Sequence, residues 1–178
     1  MAKILIVAEH RDGKLKKSTF ELLAAAATAG LDVHCALLGD AVEGMAAELG
    51  TFGAKTVHLV QAPELKLYSA EAYGNVLEPL VKQVGPDIVL ASHTPTGRDF
   101  MPRLAAKLNV GLASDCTSVQ MSGGNLVVRR PVYAGKATCE VEFLGSGPKM
   151  ATVRQNALGV PKSGSGAAPT VTTVSLPV

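Results

Sequence analysis

The sequence predicts an α/β protein with a doubly wound, mostly parallel sheet, followed by antiparallel hairpins in its last third. Runs of aliphatic and β-branched residues at 4–8, 33–38, 56–60 and 87–91 alternate with segments of helix length. This alternation is typical of βαβ units, which build parallel sheets. From residue 113 onward, apolar side chains recur at every second position, as in antiparallel strands with one buried face.

Three helices are predicted from capping signatures that follow predicted strands. Each signature places a Ser, Asp or Thr three residues before a carboxylate, the arrangement of a capping box. The capping residues are expected to be Ser18, Asp40 and Thr96. The helix that Thr96 starts is expected to occupy residues 97–108 and to pack one apolar face on the sheet.

A fourth helix is predicted between residues 68 and 84. Ser69 is expected to cap its first turn, and Gly85 is expected to end it in a left-handed conformation. Pro79 lies inside this segment, and a proline in a helix interior removes a backbone hydrogen bond. We therefore expect the helix to be kinked or shortened there.

The last third is predicted to form antiparallel hairpins appended to the sheet. Gly-rich turns at residues 122–125 and 145–148 separate the runs of alternating apolar residues. The run that contains Met150 and Val153 is assigned to the last of these hairpins. The arginines of this region, at positions 129, 130 and 154, are expected on the hairpins, either as ordinary solvated charges or facing an acidic partner or cofactor phosphates.

The domain is predicted to occupy residues 1–157, and residues 158–178 are predicted to be a linker or tail. Residues 161–169 consist of Pro, Gly, Ser, Ala and one Lys, a composition typical of flexible linkers. The recurrence of apolar residues at Val171, Val174 and Leu176 predicts the beginning of a strand that belongs to a further domain outside this chain.

Composition argues against several classes of function. The formal net charge is +2 and no long basic run occurs, so nucleic acid is not an expected partner. No apolar stretch approaches the ~20 residues of a membrane helix, and the N-terminal apolar run is too short for a signal peptide, which predicts a cytoplasmic location without membrane insertion. The cysteines and histidines are dispersed, which predicts buried thiols and no metal site.

The best candidate site is a crevice at the carboxyl ends of the strands at 4–8 and 87–91, where the strand order of a doubly wound sheet reverses. The loops leaving these strands offer imidazole, hydroxyl and guanidinium groups beside a helix N-terminus, which could hold an adenine nucleotide or another anion. The simpler interpretation is that the same side chains cap the helix and solvate the rim. The candidates are His10, Arg11, His93, Thr94, Thr96 and Arg98.

Catalytic fingerprints are missing from the sequence. Neither strand of the crevice is followed by a G-x-G-x-x-G loop, and no G-x-x-x-x-G-K-[ST] motif occurs. The Gly-Ser-Gly at residues 145–147 does not match the G-x-S-x-G pattern of a nucleophile elbow, and it is followed by a proline instead of a helix. A turn is the simpler interpretation. We therefore predict that the chain has no catalytic site of its own.

Several segments resemble the alpha subunit of the electron transfer flavoproteins. Residues 3–10 read KILIVAEH, residues 97–108 read GRDFMPRLAAKL, and residues 114–117 read SDCT. The resemblance continues in order with RPVYAGKA at 130–137 and MATVR at 150–154. It covers nearly the whole chain, and the segment at 97–108 is the most specific.

This resemblance implies an adenine-nucleotide-alpha-hydrolase-like fold and a place in a heterodimer with a beta subunit. It also implies that the chain is the N-terminal part of the alpha subunit, with a scaffolding and docking role rather than a chemical one. The complete heterodimer is expected to carry FAD, mainly in a C-terminal domain outside this chain, with AMP as a candidate ligand of the partner subunit. Electrons are expected to pass from flavin dehydrogenases toward a membrane quinone reductase.

The alternative is a stand-alone adenine-nucleotide-binding protein of the universal-stress type, which shares the fold. It would place ATP or AMP among the crevice candidates and predicts tight nucleotide binding by this chain alone. An independent enzyme is a third class, which would need catalytic groups that meet only in the folded protein.

Overall fold

The computed structural model of the chain describes residues 1–159, 161, 166–175 and 177–178. In chain order the strands are β1 (Lys3–Val7), β2 (His10–Arg11), β3 (Lys14–Leu15), β4 (Asp32–Gly39), β5 (Thr56–Gln61), β6 (Ile88–Ser92), β7 (Leu112–Cys116), β8 (Ser118–Ser122), β9 (Asn125–Val132), β10 (Ala137–Glu142), β11 (Lys149–Val153) and β12 (Thr170–Thr173). The helices are α1 (Lys17–Thr28), α2 (Ala46–Thr51), α3 (Ala70–Val84) and α4 (Pro95–Leu108), with 3₁₀ turns at Glu43–Met45 and Pro63–Leu65.

A seven-stranded parallel sheet forms the centre of the molecule, with the strand order β12-β5-β4-β1-β6-β11-β7. Strand β1 lies between β4 and β6, and Ile4 is the register partner of both Val33 and Ile88. The chain therefore winds outward from β1 in both directions. The predicted doubly wound α/β fold is confirmed.

Helices cover both faces of this sheet. Alternate residues of β1 point to opposite faces: Ile4 and Ile6 join the core beneath α1 and α2, whereas Leu5 and Val7 join the core beneath α3 and α4. All four of these side chains are buried, and burying one such side chain stabilises the fold by about 1.5–3 kcal/mol. The strand at residues 4–8 is therefore apolar throughout because both of its faces are covered.

A small antiparallel sheet with the order β10-β9-β8 stands beside the parallel one. Leu126 and Val128 of β9 join the core on the α1 side, so this sheet packs across that face. The prediction of antiparallel hairpins is right for these strands. It is wrong for Met150 and Val153, because β11 lies inside the parallel sheet between β6 and β7. A spacing of two marks a strand but does not distinguish parallel from antiparallel pairing.

The three helices predicted from capping signatures exist, but their first residues differ from the prediction. Among the described helices, none is capped by the side chain of Ser18, Asp40 or Thr96. Helix α4 starts earlier than expected, with Thr94 as its cap and Pro95 as its first residue. Proline suits this position because its φ is already helical and its missing N–H would have had no partner there.

Helix α3 follows its prediction at both ends. The Ser69 hydroxyl accepts a hydrogen bond from the Ala72 amide at 3.4 Å, and Gly85 ends the helix with a φ of 61°. The helix is not shortened at Pro79, because α3 is one continuous element from Ala70 to Val84, and the expected kink at this residue stays a prediction. Buried side chains before and after the proline hold both halves of the helix on the same core.

The strand predicted near Val171 also exists, but its pairing corrects the prediction. Instead of beginning a separate domain, β12 pairs in parallel with β5 and becomes an edge of the central sheet. Val174, which follows β12, is buried against the α3 and α4 side, and Leu176 lies outside the described residues.

Candidate functional site at the carboxyl ends of the strands

Glu9 occupies the point where the strand order reverses. It follows β1, its backbone amide donates to the Thr19 hydroxyl at 3.0 Å, and its side chain is 13% exposed. One carboxylate oxygen contacts the ammonium group of Lys16, and the other accepts a hydrogen bond from the Thr94 hydroxyl at 2.7 Å. Glu9 therefore connects the loops after β1 and β6, and both of its carboxylate oxygens are engaged by neighbouring side chains.

Thr94 is a structural member of the crevice. Its hydroxyl donates to Glu9 and accepts from the amide of Gly97 at 3.0 Å, so it links the strand switch to the start of α4. A Cβ atom on Gly97 would lie 2.0 Å from the Ser92 carbonyl oxygen, so only a glycine lets α4 begin this close to β6. The helix-capping interpretation of this loop is thus realised at Thr94, not at Thr96.

His10 and Arg11 lie on the small hairpin formed by β2 and β3. The Nε2 atom of His10 lies 2.8 Å from the Leu38 carbonyl oxygen, which can only accept, so this nitrogen carries the proton. Arg11 is exposed and lies 3.6 Å from the carboxylate of Asp12. The structure therefore directs His10 toward the end of β4 and Arg11 toward solvent.

Thr96 and Arg98 lie in the first turn of α4. The backbone oxygen of Thr96 accepts a hydrogen bond from the Tyr68 hydroxyl at 3.4 Å, and its own side chain is half-buried. Arg98 is exposed, and its positive charge acts on the neighbouring His93.

His93 is the candidate with the most extensive polar contacts. Its Nδ1 atom lies 2.9 Å from the hydroxyl oxygen of Thr152, and that oxygen also accepts the backbone amide of Asp115 at 3.2 Å. Because the Thr152 oxygen accepts from Asp115, its own proton is free to point at Nδ1. This arrangement leaves the proton of His93 on Nε2, which faces the Asp115 carboxylate at 3.8 Å.

Asp115 and Arg154 form a two-pronged ion pair beside His93. The Nε and Nη2 atoms of Arg154 lie 2.9 and 2.7 Å from the two carboxylate oxygens. The hydrogen bonds from Arg154 lower the pKa of Asp115. Burial lowers the pKa of His93, the nearby Asp115 raises it, and Arg98, Arg154 and Arg130 lower it further. The imidazole is therefore neutral at pH 7.

Of the six predicted site residues, the structure brings His93 and Thr94 into polar networks at the crevice. Thr96 and Arg98 lie nearby in the first turn of α4, and His10 and Arg11 are turned away. Sequence reasoning missed Glu9, Asp115 and Thr152 as members of these networks. All three lie at the carboxyl ends of strands, namely β1, β7 and β11. This pattern could have predicted them if β11 had been assigned to the parallel sheet.

The arrangement is suited to holding loops and charges in place. In the part of the chain that the structure describes, no group of three His, Cys, Asp or Glu side chains could hold a metal ion. Cys116 is buried, and burial raises its pKa to about 11, which keeps the thiol protonated and unreactive at neutral pH.

Comparison with known sequences identifies the family. The family model described as the electron transfer flavoprotein domain matches residues 4–178. The chain belongs to the electron transfer flavoprotein family. The match includes the crevice, the antiparallel sheet and β12, so the resemblance seen in the sequence segments is confirmed over almost the whole chain.

The similar curated proteins are electron transfer subunits. The chain is 41% identical over 157 residues to the electron transfer flavoprotein subunit alpha of Bacillus subtilis, covering 86% of this chain and 48% of that protein. It is 40% identical over 154 residues to the subunit of the same name from Syntrophomonas wolfei, with 86% and 48% covered. It is 34% identical over 179 residues to the acryloyl-CoA reductase electron transfer subunit beta of Anaerotignum propionicum, with 85% and 49% covered.

The chain thus spans about half the length of the curated relatives that it matches. Their names support electron transport and flavoprotein association as properties of the family. Among the helices that the structure describes, none combines the length and the apolar character needed to cross a membrane.

Proposed function

We propose that this chain is the N-terminal part of an electron transfer flavoprotein alpha subunit and that it docks a beta subunit and supports a flavin held elsewhere. Family membership and the subunit names of its relatives support the electron-transfer setting. The geometry supports a docking role for two reasons. The crevice side chains are hydrogen-bonded to one another instead of being available for a ligand, and the antiparallel sheet has an uncovered outer strand.

The observation that carries the docking proposal is the exposure of β10. This strand is the outer strand of the antiparallel sheet, and five of its six residues are exposed. An edge strand has unpaired backbone groups that can bind a partner strand, and soluble proteins generally cover such edges. Tyr133 and Leu144, just before and just after β10, are 81% and 97% exposed. The occupant that we propose for this edge is the beta subunit.

We place the other functions of the complex outside this chain. FAD would be held mainly by the half of the relatives' length that this chain does not cover, and AMP would be a ligand of the beta subunit. The complex would lie in the cytoplasm. Electrons would arrive from flavin dehydrogenases and leave toward a membrane quinone reductase. In this proposal the chain is a carrier subunit without catalytic activity of its own.

The docking proposal is tested by replacing the two exposed apolar side chains beside β10. Tyr133→Asn and Leu144→Asn remove apolar contact area, and Asn tolerates the positive φ of 51° at Tyr133. Leu67→Asn is the matched control, because Leu67 is 79% exposed but lies before α3, away from β10.

We expect the double variant to bind the cognate beta subunit about tenfold or more weakly in a calorimetric titration, in keeping with the loss of two interface side chains. Leu67→Asn should bind as the unchanged chain does. Equal affinities for all three proteins would contradict docking at β10. Micromolar binding of AMP or ATP by the isolated chain, lost in Arg98→Ala, would instead favour the stand-alone nucleotide-binding alternative.

A further inference from the structure

Three buried polar side-chain atoms in the described structure lack a hydrogen-bond partner. They are the hydroxyl oxygens of Ser18 and Ser92 and the Nε atom of Arg130. Buried polar atoms are nearly always paired, so an unpaired one needs a partner that the protein itself does not supply. An arginine N–H can only donate, so the partner that Arg130 lacks is an acceptor.

Ser92 places one of these atoms at the carboxyl end of β6. Val153 is its register partner in β11, and Val153 belongs to the core on the α1 side. Register partners in a parallel sheet point to the same face, so the Ser92 side chain lies on the α1 side as well. The residue as a whole is 3% exposed.

Ser18 reaches the same end of the same face from α1. It lies in the first turn of this helix, and the following residue, Thr19, is held to the end of β1 through Glu9. No side chain caps α1 in the described structure, and its first turn contains no acidic residue. The Ser18 hydroxyl therefore lies in the positive field of a helix N-terminus.

Arg130 approaches from the antiparallel sheet. It lies two residues beyond Val128 in β9, and therefore on the same face as that core residue. The amide of Thr117, which directly follows β7, donates to the carbonyl oxygen of the neighbouring Arg129 at 2.8 Å, which places Arg130 beside the carboxyl end of β7.

The carboxylates around this region already have partners. Asp115 is paired with Arg154, and Glu9 is paired with Lys16 and Thr94. Glu21 of α1 is 3% exposed and accepts the backbone amides of Asn156 and Leu158 at 2.9 and 3.4 Å. The acceptor for Arg130 is therefore not supplied by these neighbours, and the surrounding arginines favour an anion over a neutral water.

We propose that Arg130, Ser92 and Ser18 form an oxyanion-binding subsite on the α1 side of the sheet, and that this subsite accepts a phosphate group. The guanidinium N–H and both hydroxyls would donate to phosphate oxygens, which together provide enough acceptors for all three. The phosphate could be free or part of a nucleotide. The proposal does not depend on docking of the beta subunit.

The test is a titration of the chain with potassium phosphate, and a parallel titration with potassium chloride at matched ionic strength serves as the control. Both titrations are monitored through the NMR signal of the Arg130 Nε–H. We expect a saturable shift of this signal with phosphate and none with chloride. A parallel titration with AMP distinguishes the sources of phosphate. Tighter binding of AMP would assign the subsite to a nucleotide, and equal binding would assign it to free phosphate.

Arg129 offers a matched control in the neighbouring position. Its Nε atom is paired with Glu140 at 2.9 Å and its side chain is 56% exposed. We expect Arg130→Gln to weaken phosphate binding about tenfold or more, since it removes a charge-assisted hydrogen bond, and Arg129→Gln to leave binding unchanged.

Ser92→Ala keeps the proposal testable if Arg130→Gln does not fold. The Ser92 hydroxyl has no partner in the protein, so its removal should preserve the fold and still weaken phosphate binding. Absence of a saturable shift at Arg130, or equal phosphate affinity for Ser92→Ala, Arg129→Gln and the unchanged chain, would overturn the proposal. Binding of the beta subunit is a separate measurement, and its loss would not contradict the phosphate subsite.

Discussion

At the scale of single residues, a pair of histidines on the neighbouring strands β4 and β5 links stability to pH. The Nδ1 atom of His34 lies 2.9 Å from Nε2 of His58, and Nε2 of His34 lies 3.2 Å from the Asp32 carboxylate. Burial, together with the charges of His34 and Lys3, lowers the pKa of His58 from 6.5 to about 4. His58 is therefore neutral in the folded protein at pH values where the unfolded chain already binds a proton.

This difference predicts a loss of stability in mild acid. Because the folded pKa lies below the unfolded one, the contribution of neutral His58 is complete above pH 6.5 and is lost as the pH falls toward about 4. The full shift corresponds to about 3 kcal/mol of unfolding free energy. Urea unfolding of the chain and of His58→Gln, measured from pH 7.5 to pH 4, checks this. We expect a shallower pH dependence in His58→Gln, and identical slopes would contradict the assignment.

At the scale of elements, the start of α4 depends on close contact with the end of β6. The Cβ of an alanine at position 97 would meet the Ser92 carbonyl oxygen at 2.0 Å, and that oxygen belongs to the backbone and cannot rotate away. We predict that Gly97→Ala destabilises the chain by about 2–3 kcal/mol, as overpacking in a tight region does. Gly111→Ala is the control, because a Cβ there meets nothing within 4 Å.

Chemical denaturation of these two variants measures the difference. A Gly97→Ala chain as stable as Gly111→Ala would show that α4 can move away from β6 at little cost. Since Thr94 joins α4 to Glu9, such a movement should also alter the NMR signals of the crevice, which gives a second measurement of the same contact.

The elements also show which parts of the structure the sequence could predict. Strands β1, β4, β5 and β6 and helix α3 carry local signals, namely apolar runs, a serine cap and a terminal glycine. The place of β11 and β12 in the parallel sheet is decided by pairing between distant segments, which periodicity does not encode. The network of Asp115, Thr152 and His93 could not be predicted for the same reason, because its members come from the ends of three strands.

At the scale of the whole molecule, residues 166–175 are part of the folded body despite the linker-like composition of their first part. The amide of Gly166 donates to the Thr51 carbonyl oxygen at 2.8 Å, and a Cβ on Gly50 would lie 2.3 Å from Pro169. Together with β12, these contacts fasten residues 166–175 along α2 and β5. Small residues therefore serve close packing here, where composition alone predicts a flexible link.

The whole molecule also leads to a prediction about the flavin. If FAD is held by the half of the relatives' length that this chain does not cover, the isolated chain should show no tight FAD binding in a calorimetric titration. The crevice supports this expectation, because Glu9 is paired with Lys16 and Thr94, and Thr94 is engaged with Glu9 and Gly97. Weak binding through the phosphates alone would be displaced by inorganic phosphate and would be matched by AMP. Tight binding that phosphate does not displace would mean that this chain holds the flavin ring itself, and would contradict a purely supporting role.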